Sequence, residues 1–421
     1  MNNREKLLVL GAYKTEIEII DAAHSMGYYV IVTDNHENYD DAPAKYVADE
    51  AWNISWLDIE KLCIACNINN VKGIMAGFSE LRVRAAEELA LALKLPFYAD
   101  GADLTTICEK NKFKNACIES GVCVPKRYLY GEKIQYPVIV KPSDNGGSRG
   151  ITICYSEIEL DDAYKKAASV SNNGDVLIEQ YIKAEEVMVY FTVHNGMTEL
   201  SAMCDRHMRL FDEHITQLPI AYVYPSKYLE TFEKYNFDAF KRLIYNLGIK
   251  DGLIAFQAFV VNRDVIPFDP TYRLDGTMTY HIVEAINGIN VLKLLINKSM
   301  NGTMGDDAAI ASLENPHFNK YAFELAVLLG KGTIGSIEGL DEIEKEKNVI
   351  YVNKRLDVGN EMHSIADFSQ IFCRIHIVAD SVIEIADTVE KINDNLAVLD
   401  NSGNDMIICR LTRDEIMHYY I

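Results

Sequence analysis

Apolar positions in the first hundred residues switch between two periods. Short unbroken runs at Leu7–Leu10, Tyr29–Thr33 and Gly73–Ala76 read as buried strands, and the stretches between them repeat every three or four residues. Thr15–Met26, with Ile17, Ile20, Ala23 and His24 on one face, Leu57–Cys66 and Arg82–Leu93 behind a Ser79 cap are the expected helices. Strand and helix in alternation predict βαβ units around a parallel sheet over residues 1–102, closed by Leu95 and Pro96.

From residue 103 to 303 the grammar changes to hairpins around polar turns. A helix over Cys108–Ser120 stops at Gly121, and strands are expected at Val138–Lys141, Ile151–Cys154 and Val176–Glu179, with a helix at Glu159–Ser169. Val187–His194 and Leu200–Cys204 flank the turn Asn195-Gly196, and Ala255–Val261 and Val265–Asp269 flank a second turn after the helix Phe237–Leu247. Residues 304–421 form a third unit, with helices at Asn319–Leu329 and Val382–Asn395 and strands at Val349–Asn353, Ile371–Val378 and Met406–Cys409. The fold class is therefore α/β joined to α+β: a first domain of βαβ units around a parallel sheet, a two-lobed body and a small α+β C-terminal domain.

Composition narrows the partners. With 49% apolar residues the chain has ample core, and its net charge of −21 opposes binding to a phosphate backbone, so nucleic acid is not an expected partner. No apolar run approaches the ~18 residues that span a bilayer, and the opening residues lead straight into a strand; the expectation is a soluble cytoplasmic protein with no membrane partner. Nine scattered Cys read as reduced thiols, and Cys63 and Cys66 belong to a helix with no second pair to complete a zinc site.

The chemistry starts at Asn-Gly-Gly-Ser-Arg-Gly, residues 145–150, between two apolar strands with Lys141 at the end of the first. Glycines let successive N–H groups turn toward one anion, and a lysine beside them fixes a charge for a polyphosphate, although an ordinary hairpin turn has the same composition. Upstream stands Lys110; downstream come Glu179-Gln180-Tyr181-Ile182, then Glu186, then Gln257 and Asp269 on paired strands with Arg273 beyond. In this order the pieces resemble the ATP-grasp superfamily, in its carboxylate–amine ligase branch with biotin carboxylase, carbamoyl phosphate synthetase and the L-amino acid ligases. The resemblance covers nearly the whole chain: a preceding Rossmann-like domain, the grasp over residues 103–303 and a ligase-type C-terminal domain.

That resemblance implies roles residue by residue. Lys110 and Lys141 match the lysines that hold the nucleotide's phosphates, and Gly146, Gly147 and Ser148 match the loop that closes over them. Glu179 through Ile182 match the hinge that reads adenine, and Glu186 the acceptor for the ribose hydroxyls. Asp269-Pro270-Thr271-Tyr272-Arg273-Leu274-Asp275-Gly276 departs from the family's Glu-x-Asn-x-Arg-x-Gly-Gly, so the metal ligands become Gln257, Asp269 and Thr271, for one or two Mg²⁺ with Mn²⁺ as a substitute. Arg273 is the catalytic candidate, holding the transferred phosphoryl group or the substrate carboxylate, against a purely structural pairing with Asp275 or Glu284. Glu80, Arg149, Asp205 and His207 are candidate substrate contacts, followed by Tyr272 and His281. The implied activity is ADP-forming ligation of a small carboxylate to an amine, an amino acid being one of them, by a chain whose relatives are often homodimers.

Two other readings compete. Gly11 after a strand with Asp34 at its distance sketches an NAD-dependent dehydrogenase, but only one of three expected glycines is present. A regulatory protein that kept the nucleotide grip and lost turnover through its altered metal ligands is the other.

Overall fold

The structure is a computed structural model and describes residues 4–143, 150–210, 217–363 and 368–421. Its first sheet has the parallel strands Glu50–Trp52, Tyr29–Thr33, Lys6–Leu10 and Val71–Met75 in that spatial order, the first of them too short to announce itself in sequence. Helices Glu16–Ser25, Ile59–Asn69 and Glu80–Leu93 cover it. Leu7 through Leu10 are wholly buried, as expected of a parallel strand covered on both faces.

Two antiparallel sheets form the body. A small one orders Arg127–Tyr128, Val176–Gln180, Val138–Pro142 and Thr152–Cys154 around its own core of Val138, Val140, Leu160 and Ile178, beneath the helix Glu157–Val170. The large one has eight strands: Asp264–Thr271, Gly252–Val261, Glu185–His194, Met197–Leu210, Gln217–Tyr224, Tyr321–Leu328, Ile371–Ala379 and Val349–Lys354. The last three come from beyond residue 303, so the third segment extends the central sheet, and a three-stranded sheet and the helix Val382–Asn395 pack on it. Among the described residues no helix is long and apolar enough to cross a membrane.

Three expectations are corrected. The helix expected over Asn319–Leu329 is the strand Tyr321–Leu328, buried at every position after the first; a strand covered on both faces has no alternation, so its apolar run was open to a helical reading. The closing strand at Met406–Cys409 reduces to a bridge at Ile407, and the chain ends in a helix, Arg413–Tyr419, with a Thr412/Glu415 capping box. The helix over Cys108–Ser120 breaks at Glu109, whose extended backbone separates Leu104–Cys108 from Lys110–Ser120 and leaves Lys110 at a helix start.

Glu324 and Arg374, on the paired strands Tyr321–Leu328 and Ile371–Ala379 of the third segment, form an ion pair in which both side chains are at least 95% buried, and the Arg374 guanidinium lies 5.5 Å from the Tyr222 ring of the body. Burial raises the Glu324 carboxyl and Arg374 opposes the rise. Removing one partner strands the other charge, so Arg374→Ala is expected to cost about 3–5 kcal/mol. Urea denaturation checks this: an unchanged midpoint would mean the pair contributes nothing.

Candidate functional site

The cleft between the two antiparallel sheets collects the candidate residues. Ile139 pairs with Glu179 and Lys141 with Leu177, so alternation puts Lys141 and Glu179 on one face of the small sheet, toward the helix Lys110–Ser120. Glu179 is 1% exposed and shares its carboxylate between two ammonium groups: Lys141 Nζ lies 2.9 Å from Oε2, and Lys114 Nζ contacts Oε1. Burial lowers both ammonium groups, Lys114 to about 6 and Lys141 to about 8; repulsion from Lys141, Arg127 and Lys110 adds to it at Lys114, and at Lys141 repulsion from Lys110 adds to it while Asp269 opposes it. Sequence reasoning missed Lys114. Its signal was the spacing: one helical turn past Lys110, it must lie on the same face.

Gln180 ends its strand, and its N–H donates to the Lys126 carbonyl as that of Tyr181 does to Pro137, so both hinge amides are already used. Tyr181 and Ile182 lead from the small sheet into the strand Glu185–His194. There Glu186 stands opposite Arg206, and Arg206 Nη1 donates to Glu186 Oε2 at 2.5 Å while its guanidinium lies 5.7 Å from the Tyr222 ring. Arg206 is a second residue the sequence did not single out, because only strand register brings it to Glu186.

Gln257 and Asp269 are direct partners across the edge of the large sheet, with Gln257 Nε2 3.4 Å from Asp269 Oδ2. Thr271 follows on the same face, and is buried. Asp269 opens on the cleft yet is recessed within it; burial raises its carboxyl, while Lys110, Arg206 and Arg273 pull it back. Among the described residues no three His, Cys, Asp or Glu side chains gather as a metal cluster. The oxygens of Asp269, Gln257 and Thr271 are hard ligands suited to Mg²⁺, provided water and phosphate oxygens complete the shell.

Arg273 pairs with neither Asp275 nor Glu284. Its Nε donates to Glu80 Oε1 at 2.7 Å, which joins two separate candidates into one unit, and its Nη1 donates to the Leu274 carbonyl. Asp205 and His207 fall on the face opposite Glu186 and Arg206. Asp205 accepts from the Ser226 hydroxyl and the Lys227 amide, with burial raising its carboxyl to about 6. His207 stacks on Tyr419 at 3.7 Å, and burial pushes its imidazole down to about 4. Both are structural rather than cleft-facing, which corrects their expected substrate role. Tyr272 is also structural, its hydroxyl donating to the Tyr98 and Asp251 carbonyls, and His281 is held by Glu18 and Tyr351. Gly146, Gly147, Ser148 and Arg149 lie outside the described residues.

The crevice a dinucleotide would need is filled by the protein itself. Glu16 accepts the Tyr13 N–H at the start of the first helix and pairs with Arg82 at 3.0 Å. A Cβ on Gly11, whose φ is +92°, would lie 2.6 Å from Arg82 Nη1, and Asp34 is taken by His36. The dehydrogenase reading fails on that packing.

Comparison with known proteins bears on the fold. Residues 125–267 match the family model described as D-ala D-ala ligase C-terminus. A D-alanine–D-alanine ligase of Fusobacterium nucleatum is 31% identical over 132 residues, which are 31% of this chain and only 40% of that relative. The L-amino acid ligase from Bacillus licheniformis superposes with a TM-score of 0.77 at 17% identity, covering 95% of this chain and 100% of the other. A biotin carboxylase–β-γ-ATP complex from Campylobacter jejuni gives 0.73 at 18% identity, over 98% and 94%. The chain therefore has the fold of these solved proteins, and over residues 125–267 it matches the D-ala D-ala ligase C-terminal family model.

Proposed function

We propose that the protein is an ATP-dependent, ADP-forming ligase that joins a small carboxylate to an amine, with an amino acid as one substrate. The observation that carries this reading is the meeting, across one cleft, of the Lys114–Glu179–Lys141 cluster with Asp269 and the Arg273–Glu80 pair. The amino-acid ligases among its relatives support the substrate class.

In this reading Lys141 and Lys110 take the phosphate charge, Glu186 accepts from the ribose, and the hinge at Glu179–Ile182 lies along the adenine. Asp269, Gln257 and Thr271 hold Mg²⁺, which neutralises phosphate charge when bound. Arg273, whose planar fork suits a carboxylate or phosphoryl group, positions the substrate carboxylate. One carboxylate oxygen forms a bond to the γ-phosphorus as the bond to ADP breaks, giving an acyl phosphate. The amine nitrogen then bonds to the acyl carbon, phosphate leaves with the C–O electron pair, and the amine's proton passes to solvent.

The purified protein is expected to release ADP only when ATP, Mg²⁺ and a matching carboxylate and amine are present together, read by a coupled assay across a panel of amino acids. ATP binding without consumption in every combination would favour the regulatory reading. Arg273→Ala should lower turnover about a hundredfold, the cost of removing one fixed electrostatic contact to developing charge; turnover within twofold of wild type would remove Arg273 from the reaction. Lys114→Met leaves Lys141 as the sole partner of Glu179 and so less available to phosphate. Its expected signature is a KM for ATP raised about tenfold, one 1.4 kcal/mol step, with kcat little changed. A kcat loss at unchanged KM would contradict it.

A further inference from the structure

Away from the nucleotide cleft, a small cavity, with room for about one water or small ion, lies between the large sheet and the helices that follow Arg273. Most of its wall is apolar, including Leu253, Val283, Ile289 and Val291, and one end is polar, where Glu314 meets Thr192 and Ser201. The sheet is distorted to build that end. The register slips between Leu200 and Ala202, which makes Ser201 an extra residue in its strand and brings its hydroxyl 2.7 Å from that of Thr192.

Glu314 follows the short helix Asp307–Leu313 and turns its carboxylate inward. Both of its oxygens are buried, the Thr192 and Ser201 hydroxyls lie beside them, and among the described residues neither oxygen is paired with a cationic side chain. Of the two linked hydroxyls one donates to the other, which leaves a single proton to offer a group with about four lone-pair positions. Two residues past Thr192, His194 gives its Nδ1 to Asp307 at 2.9 Å, and its Nε2 is buried with no partner. Burial raises the Glu314 carboxyl to about 7, the hydroxyls lower it in part, Glu199 adds to the rise and His194 opposes it. The polar end therefore contains a carboxylate and two linked hydroxyls with one free proton between them, His194 stands two residues along the same strand, and no cationic side chain is paired to Glu314.

We propose that this end of the cavity is a binding site for a small monovalent cation, ammonium or potassium. Water would donate to two of the acceptors and leave the buried charge uncompensated. A divalent ion looks for several anionic oxygens, and the site offers one carboxylate. A single positive charge balances Glu314 and is coordinated by the same oxygens.

The test uses the full-length protein at pH 8, with its thermal midpoint measured in potassium, ammonium or tetramethylammonium chloride at equal ionic strength. Potassium or ammonium should raise the midpoint by about 2 °C or more over tetramethylammonium, which is too large for the site. Glu314→Gln should abolish that difference; should this variant not fold, Ser201→Ala, which removes one ligand and keeps the charge, should at least halve it. Rubidium soaked into crystals should give an anomalous peak beside Glu314. Equal wild-type midpoints in all three salts, a salt difference that survives both substitutions, or no rubidium peak would each overturn the proposal, leaving Glu314 as a protonated core carboxyl.

Discussion

The cleft is organised by one buried carboxylate. Glu179 has almost no contact with solvent, and an ionised group in that position is tolerable only with opposite charge in contact. Two lysines provide it, from a helix and from a neighbouring strand, so this carboxylate fixes how the helix Lys110–Ser120 docks on the small sheet. Burial and repulsion from Lys110 lower both ammonium groups, so the cluster holds its protons less tightly than ordinary lysines do.

The large sheet separates structure from chemistry by the parity of its strands. Glu186 and Arg206 share one face with Tyr190, and the alternate residues Val187, Val189 and Phe191 pack into the other. A one-residue slip would put the ionic pair into the aromatic core and the apolar residues into the cleft. The same parity removes Asp205 and His207 from the candidate site, although both neighbour Arg206 in sequence.

What could be read from the chain follows from how local each feature is. Three of the four strands of the first sheet and the helix Val382–Asn395 were legible to within a residue or two because their periods are strong and their ends marked, whereas the three-residue strand Glu50–Trp52 was not. Tyr321–Leu328 was not, because burial on both faces erases alternation and leaves only an apolar run. The order of Lys110, Lys141, Glu179, Glu186, Gln257, Asp269 and Arg273 was legible as a resemblance. The pairings among these residues and their neighbours were not, since Glu80 with Arg273 and Glu186 with Arg206 depend on long-range docking and register.

The Glu80–Arg273 contact also bears on how a substrate carboxylate would enter. The Glu80 side chain is 46% exposed and that of Arg273 17%, so their attraction is weakened by solvent, and pairs of this kind contribute about 0–1 kcal/mol. Exchanging Glu80 for an incoming carboxylate therefore costs little, and the guanidinium is held in place meanwhile by its bond to the Leu274 carbonyl. In the proposed reaction Glu80 would keep the fork of Arg273 oriented until a substrate oxygen took its place. The buried pairs elsewhere, Glu179 with its lysines and Glu324 with Arg374, have no such freedom, because separating them would leave charge in the interior. Exposure thus distinguishes the buried pairs, which fix how elements dock, from a half-exposed pair such as Glu80–Arg273, which a ligand could displace at little cost.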